Sequence, residues 1–395
     1  TKNSLPADGV DKVGPVYMGD LLLISNENPD CYSYENTGSL SEDFVQTASL
    51  PDDLPLEAYA MNPILPEPEG LTLDKLVKLG DNFEVAAVGS TSEFWVYNFK
   101  TNTTEKLTAT LQYSGSKSEI WVENTEEIGQ QQAQQLGSEF DDSIYPLIAN
   151  YFYTPSDLDG NGKVKILCFD IQDSFETTGS YYAGYFSSGD LFNHSTSNMG
   201  ELFYIDTYPS MHYPKTNPID VSRAFSTIAH EFQHMVNYNR NVLVEKGSTM
   251  PTWLNEGLSL AAEHLYSGVL SRRISYFNSS PRIRDGHSVL YWGDNGDTLS
   301  SYALSYIFLQ YIRAQAGNDA IFRDILLSND NSSNVIVSAL TKYGVTKSLG
   351  EILTDFRIAL VLKNGSGPYG FRGDGDFNSI AVQFYSGGSK ELRGG

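Results

Sequence analysis

Apolar residues along this chain change their spacing part-way. Between 82 and 124 they alternate with polar ones in Phe83–Val88, Glu93–Tyr97, Glu105–Leu111 and Glu119–Val122, and Gly, Asn and Ser clusters separate the runs. Such alternation predicts antiparallel strands. Val164–Phe169 and Leu202–Ile205 are short apolar runs that predict further strands. Helical spacing appears at 126–137, 220–239, 251–265 and 300–312, and again in the tail at 319–327, 332–342 and 348–362. Ahead of all this, residues 1–79 hold one apolar run, Leu21–Ile24, and a stretch with Pro51, Pro55, Pro63, Pro66 and Pro68. Proline at that density opposes helix and predicts an extended strap with a few edge strands. Strands followed by helices predict an α+β fold. The expected division is an N-terminal extended and β-rich region over 1–111 and a second domain over 112–395. Within the second, a sheet part (112–218) precedes a helix pair (219–268) and a helical part (299–363).

The helix pair carries the chemistry. At about 100° per residue, Val221, Phe225, Ile228, Phe232 and Val236 form one stripe, and His230 and His234 fall nearly opposite it. Imidazoles at i and i+4 stand one above the other and converge on one ion, a chelating geometry. Asp220 is the expected N-cap. Glu231, one position round the helix, would stand beside the metal instead of on it, where its carboxylate can take a proton from an attacking water. A third ligand is needed. Pro251, with Ser248 and Thr249 before it, predicts the start of a second helix whose buried stripe is Leu254, Leu258, Ala261 and Leu265. Glu256 points away from that stripe and is assigned as the ligand. Glu263, seven residues on, shares its face and is assigned as acceptor for a histidine N–H, with Asn255 as a further support of the ligands.

His-Glu-Phe-Gln-His (230–234) followed by Trp-Leu-Asn-Glu-Gly-Leu-Ser (253–259) resembles the gluzincin metallopeptidases. More narrowly, the chain is similar to the hyicolysin family of bacterial secreted neutral zinc metallopeptidases. Phe140–Pro146, Asp157–Leu167 and Tyr182–Phe186 add to a likeness that covers roughly residues 80–330. The resemblance implies a zincin-type metallopeptidase domain with a mixed sheet, an active-site helix and a mostly helical C-terminal part. It also implies one catalytic Zn2+ and Glu256 as its third ligand. Tyr302, at the start of the 300–312 helix with its serine caps, is the oxyanion donor implied by the family, and His212 and His287 are rivals for that role. His194 and His264 read as surface or packing residues. The chain contains no Gly-x-Met-Glu-Asn segment of the aminopeptidases that share Trp-Leu-Asn-Glu-Gly. The expectation is therefore a zinc endopeptidase acting on extracellular proteins or peptides. An aminopeptidase of the same clan and a surface adhesin retaining a zinc site are the alternatives, and an intact Glu231 weighs against the second.

Composition narrows the partners. With 40% hydrophobic residues among 395, the chain can bury a substantial core. A net charge of −23 and a pI near 4.5 argue against nucleic acid or an anionic membrane surface as partner. No apolar stretch approaches the ~20 residues that span a bilayer. Starting at Thr1 without an apolar leader, the chain reads as a mature or trimmed form of a secreted or cell-surface protein, lipid anchoring through a missing N-terminal signal staying open. Cys31 and Cys168 are the only cysteines and are candidates for a single disulfide.

Two further stretches bear on ligands. Asp157, Asp159 and Asn161, with Gly162 at the sixth place and Lys163 at the seventh, imitate the first half of a calcium loop. The twelfth place is Cys168 and not glutamate, and a polar turn before a strand explains the same residues. Tyr181–Phe186 is β-prone: either it is the edge of the sheet beside the metal helix, to which a substrate adds as a strand, or it is core packing. Gly365–Gly370 matches a dinucleotide fingerprint by letters only, because it follows a helix and contains proline.

Overall fold

The computed structural model describes residues 23–36, 60–61, 63, 65, 71–78, 86–293, 297–328, 330–383 and 391–395. Six strands form its main sheet: β1 (Thr91–Asn98), β2 (Thr103–Ser114), β3 (Ser118–Glu123), β4 (Val164–Phe169), β5 (Gly184–Phe186) and β6 (Leu202–Asp206). They lie in the order β1-β2-β3-β4-β6-β5. The sheet is mixed: β3, β4 and β6 run parallel, while β1, β2 and β5 pair antiparallel with their neighbours. Parallel strands covered on both faces need apolar side chains on both, and β4 and β6 are buried almost throughout. Alternate residues then feed two cores. Ile120, Ile166, Cys168, Phe203 and Ile205 face the helices, and Trp121, Leu167, Leu202 and Tyr204 pack with Phe94, Val96 and Tyr185 on the other side.

The division expected at 111/112 falls inside β2. Ala109, Thr110 and Leu111 pair with Glu123, Val122 and Trp121, so the hydrogen-bonded sheet continues across that position. Of the strand expected at Phe83–Val88, residues 83–85 lie outside the described residues, and Ala87–Ser90 make a turn into β1. Pro51, Pro55, Pro66, Pro68, Leu21 and Leu22 also lie outside them. From the N-terminal region, Tyr34–Asn36 pairs antiparallel with Glu391–Arg393, and Ala60–Met61 pairs parallel with Tyr181–Tyr182. Cys31 and Cys168 are both free thiols. Cys168 is sealed inside β4, so the disulfide considered from sequence does not form.

The helices follow from the spacing, with shifts at their ends. α1 (Gln130–Glu139) passes through a wide turn into α2 (Tyr145–Tyr151). α3 (Phe225–Tyr238), α4 (Thr252–Ser267), α5 (Ser271–Ser279) and α6 (Thr298–Ala316) enclose the site, and α7 (Ile321–Leu326), α8 (Val335–Thr341) and α9 (Leu349–Leu362) complete the helical layer. Ser300 and Ser301 do not cap α6. Its cap is Asp297, whose Oδ1 accepts from Ser300 N at 3.1 Å, and both serines are buried in the first turn. α6 is buried on nearly every side and passes close to α4 at Gly257, where a β-carbon would lie 2.9 Å from Leu309 Cδ2.

Candidate metal centre

α3 starts where the sequence places a cap. Asp220 Oδ1 accepts from Ser222 N at 3.1 Å, a short 3-10 turn (Val221–Ala224) follows, and the α-helix begins at Phe225. Ile228, Phe232 and Val236 enter the core, which turns His230 and His234 toward α4 with ring centroids 4.8 Å apart. Pro251 stands at the N-cap of α4, one position earlier than expected. Leu254, Leu258 and Ala261 are buried, and Glu256 and Glu263 are presented on the opposite side toward α3.

Three donors meet there. Glu256 Oε2 lies 3.2 Å from His230 Nε2 and 3.5 Å from His234 Nε2. A tetrahedral zinc with bonds of about 2.1 Å holds its donors about 3.4 Å apart, so these residues fit that ion, and mixed nitrogen and oxygen donors suit its chemistry. The other nitrogen of each ring is engaged. His230 Nδ1 is 2.6 Å from Glu263 Oε1, and His234 Nδ1 is 3.2 Å from Asn255 Oδ1. Such contacts fix tautomer and ring orientation. Three supports had no role assigned from sequence, although helical spacing puts Ser226 and Asn237 on the histidine face: Ser226 Oγ is 3.3 Å from Glu263 Oε2, Asn237 Nδ2 donates to Asn255 Oδ1 at 2.7 Å, and Ser259 Oγ lies 3.1 Å from His234 Nδ1. Ser226 and Ser259 were legible in principle, since each lies four residues before His230 or Glu263.

The electrostatics favour a cation at this point. Burial works against charge on His230, yet Glu256 and Glu263 outweigh it and raise the imidazole to about 10. Burial likewise opposes ionisation of Glu256, and the two histidines still hold it far below the usual carboxylate range. Glu231 differs. Burial pushes it up to about 7 against the pull of both histidines, and neither of its oxygens has a hydrogen-bond partner among the described residues. Gly184 in β5 lies against it, where a β-carbon would be 3.0 Å from Glu231 Cγ and 2.7 Å from the Tyr204 carbonyl oxygen.

The cluster sits between two clefts. One is lined by His234, Glu256, Tyr185, Phe186, Met250 and Pro63, the other by His230, Glu231, Glu263, Arg223, Arg273 and Tyr302. Tyr302 is buried, with its ring edge-on to Trp292 at 4.8 Å and the Arg273 guanidinium 4.8 Å over its face. Helical spacing puts Arg223 on the histidine face but gave it no role, and Arg273 was not singled out from sequence, where an arginine on a helix is ordinary. His212 and His287 line neither cleft: His212 Nδ1 is 3.3 Å from Asn217 O, and His287 Nε2 is 2.9 Å from Ser301 Oγ. His264 packs between Tyr306 and Arg313, and His194 against Gly189. The stretch expected as one edge strand is split at Ala183. Tyr181–Tyr182 pairs with Ala60–Met61, whereas β5 is the outermost strand of the main sheet, with Tyr185 stacked on Tyr204 at 4.1 Å. Asp157 and Asp159 form a separate acidic group with Glu201.

No protein-family model matches the chain. The neutral metalloprotease ShpI of Staphylococcus hyicus does: it is 39% identical over 368 residues, which take in 91% of this chain and 84% of that protein. Identity at that level along nearly the whole of both chains, on an α+β fold with a His-His-Glu cluster at its centre, means that the protein belongs to the hyicolysin family of neutral zinc metalloproteases.

Proposed function

We propose that this metalloprotease is a secreted endopeptidase acting on extracellular proteins, with His230, His234 and Glu256 holding zinc and Glu231 as general base. The observation that carries this reading is the buried, unpartnered carboxylate of Glu231 beside three converging donors, at the meeting point of two clefts. When bound, zinc supplies Lewis acidity, which lets water lose a proton near neutral pH and polarises the scissile carbonyl. Glu231 takes that proton on its carboxylate, whose oxygens have no hydrogen-bond partner among the described residues, and returns it to the leaving amine. Glu263 and Asn255 keep the two imidazoles oriented, and the Tyr302 hydroxyl donates to the developing oxyanion.

Clefts on both sides of the centre accommodate substrate residues before and after the scissile bond. Among the described residues that line them, the carboxylates are Glu231, Glu256 and Glu263. Each has a role at the metal, so none is left to capture a substrate's α-amine, as an aminopeptidase requires. The outer edge of β5, beside Glu231, is where a substrate strand would add through main-chain hydrogen bonds. An exported location agrees with the strong acidity and with the lack, among the described residues, of a helix long and apolar enough to cross a membrane.

The test compares wild type with Glu231→Gln on casein and on an N-acetylated peptide, with zinc content measured in both. The expected result is internal cleavage of the blocked peptide, inhibition by a zinc chelator, and a variant that keeps its zinc but loses about 10²- to 10⁴-fold in rate. Zinc-loaded Glu231→Gln with activity within tenfold of wild type would overturn the mechanism. Failure to cut blocked peptides would overturn the endopeptidase assignment.

A further inference from the structure

We propose that Asp157, Asp159 and Glu201 form a calcium site, separate from the zinc centre, that ties the loop before β4 to the start of β6. One carboxylate oxygen from each residue lies within 4.8 Å of the others. Oxygens on a shared calcium at 2.3–2.6 Å are separated by at most about 5 Å, so all three can reach one ion. Asp159 and Glu201 are buried, which distinguishes this group from an ordinary solvated acidic turn.

Glu201 supplies the independent observation. Its Oε1 accepts from Ser156 Oγ at 2.6 Å and Leu158 N at 3.0 Å, while its Oε2 is buried without a hydrogen-bond partner among the described residues. A buried carboxylate oxygen left without a donor is costly, and a cation satisfies it directly. The charges agree. Lys165 Nζ lies 3.3 Å from Asp159 Oδ2 and offsets one of the three carboxylates, leaving two negative charges for a divalent ion. The donors are all hard oxygens, which select calcium over zinc.

The loop explains why the site is assembled this way. Asp157 Oδ1 accepts from Gly162 N at 2.9 Å, and Asp159 Oδ1 from Asn161 N at 3.2 Å, so the half-loop read from sequence does curl around its acids. Its twelfth position, Cys168, is sealed within β4, and the missing carboxylate comes instead from Glu201, which precedes the parallel neighbour β6. The Lys163 side chain is not part of the site, because its ammonium donates to Ser114 Oγ at 2.7 Å.

The test is isothermal titration of the zinc-loaded protein with CaCl2, with thermal unfolding followed in parallel and MgCl2 as the comparison. One saturable site is expected, in the 10⁻⁴–10⁻³ M range typical of extracellular modules or tighter, together with a rise in Tm. Glu201→Gln is expected to weaken calcium binding at least tenfold without changing zinc content. Because Glu201 is buried, Asp157→Asn, at an exposed position, serves as the second variant and should show the same loss. Absence of saturable calcium binding, an equal response to magnesium, or Asp157→Asn binding calcium like wild type would overturn the proposal.

Discussion

Replacing Glu263 separates a metal-supporting role from a merely structural one. Its Oε1 lies 2.6 Å from His230 Nδ1, and its Oε2 lies 3.3 Å from Ser226 Oγ. Glu263→Ala leaves the N–H of a buried imidazole without its ionised acceptor, an interaction worth roughly 1.5–3 kcal/mol for a hydrogen bond to a charged group. At 1.4 kcal/mol per tenfold, that is a loss of about 10- to 100-fold in zinc affinity, the range expected when the partner of a ligating histidine is removed. Glu263→Gln keeps an oxygen acceptor but not the charge, so its loss should be several-fold.

Zinc affinity is read by competition with a chromogenic chelator at neutral pH, and kcat and KM are measured separately at saturating zinc. The expected pattern is Ala worse than Gln, both with KM near wild type once loaded. If folded Glu263→Ala holds zinc within threefold of wild type, the carboxylate does not support His230 and the assignment fails. A lowered Tm with unchanged zinc affinity would exclude that role equally.

Three other outcomes follow from the geometry. Gly184→Ala places a β-carbon 2.7 Å from the Tyr204 carbonyl of β6 and 3.0 Å from Glu231 Cγ on α3, so β5 must shift against both neighbours; a stability loss of about 1–3 kcal/mol and a fall in kcat are expected, and an unaffected kcat would show that the strand does not position the base. Tyr302→Phe should lower kcat about 10²- to 10³-fold with little change in KM or zinc content, and a rate within twofold of wild type would remove Tyr302 from the mechanism. His287 is held down to about 3, first by burial and then by Arg282. Its native form stays neutral while the unfolded chain takes a proton near 6.5, so stability falls as pH drops from about 6.5 toward 3. At pH 4.5 the cost is about 2–3 kcal/mol relative to neutral pH. His287→Gln should flatten that acid limb in urea melts, and an unchanged limb would show that other groups cause it.

What sequence spacing revealed, and what it hid, divides by distance along the chain. The chelating pair was legible because i and i+4 on a helix are neighbours by covalent geometry, and Asp220 lies two residues from the N–H it caps; Glu256, 26 residues from His230 on the next helix, was reached through that helix's own polar face and the resemblance of Trp-Leu-Asn-Glu-Gly. The expected division at 111/112 falls within one strand because alternation marks a strand but not the sheet it joins. The Gly115–Ser116 break resembles a linker, yet it only turns β2 back onto β3. The start of α6 was obscured by its own burial, since a helix buried on nearly every side, serines included, has no solvent-facing side to mark its first turn. Glu201 was missed for a related reason. It reaches Leu158 across 43 residues, and no local pattern announces that contact.

The same limit applies to the base. His-Glu-x-x-His names Glu231 and its place beside the ligands, but a carboxylate on a solvated helix would ionise near its ordinary value and be a weak proton acceptor at neutral pH. Its rise to about 7 comes from burial, because α3 is enclosed between β5 and α4 instead of presenting a polar face to solvent. One wall of that enclosure is Gly184, where a β-carbon would lie 3.0 Å from Glu231 Cγ and 3.1 Å from Thr227 Cγ2. The motif thus supplies the identity of the group, and its burial by the tertiary structure raises its proton affinity. A hyicolysin-type chain with the motif intact but a bulkier residue at that strand position should therefore be less stable and turn over slowly, as urea melts and kcat at saturating zinc would show.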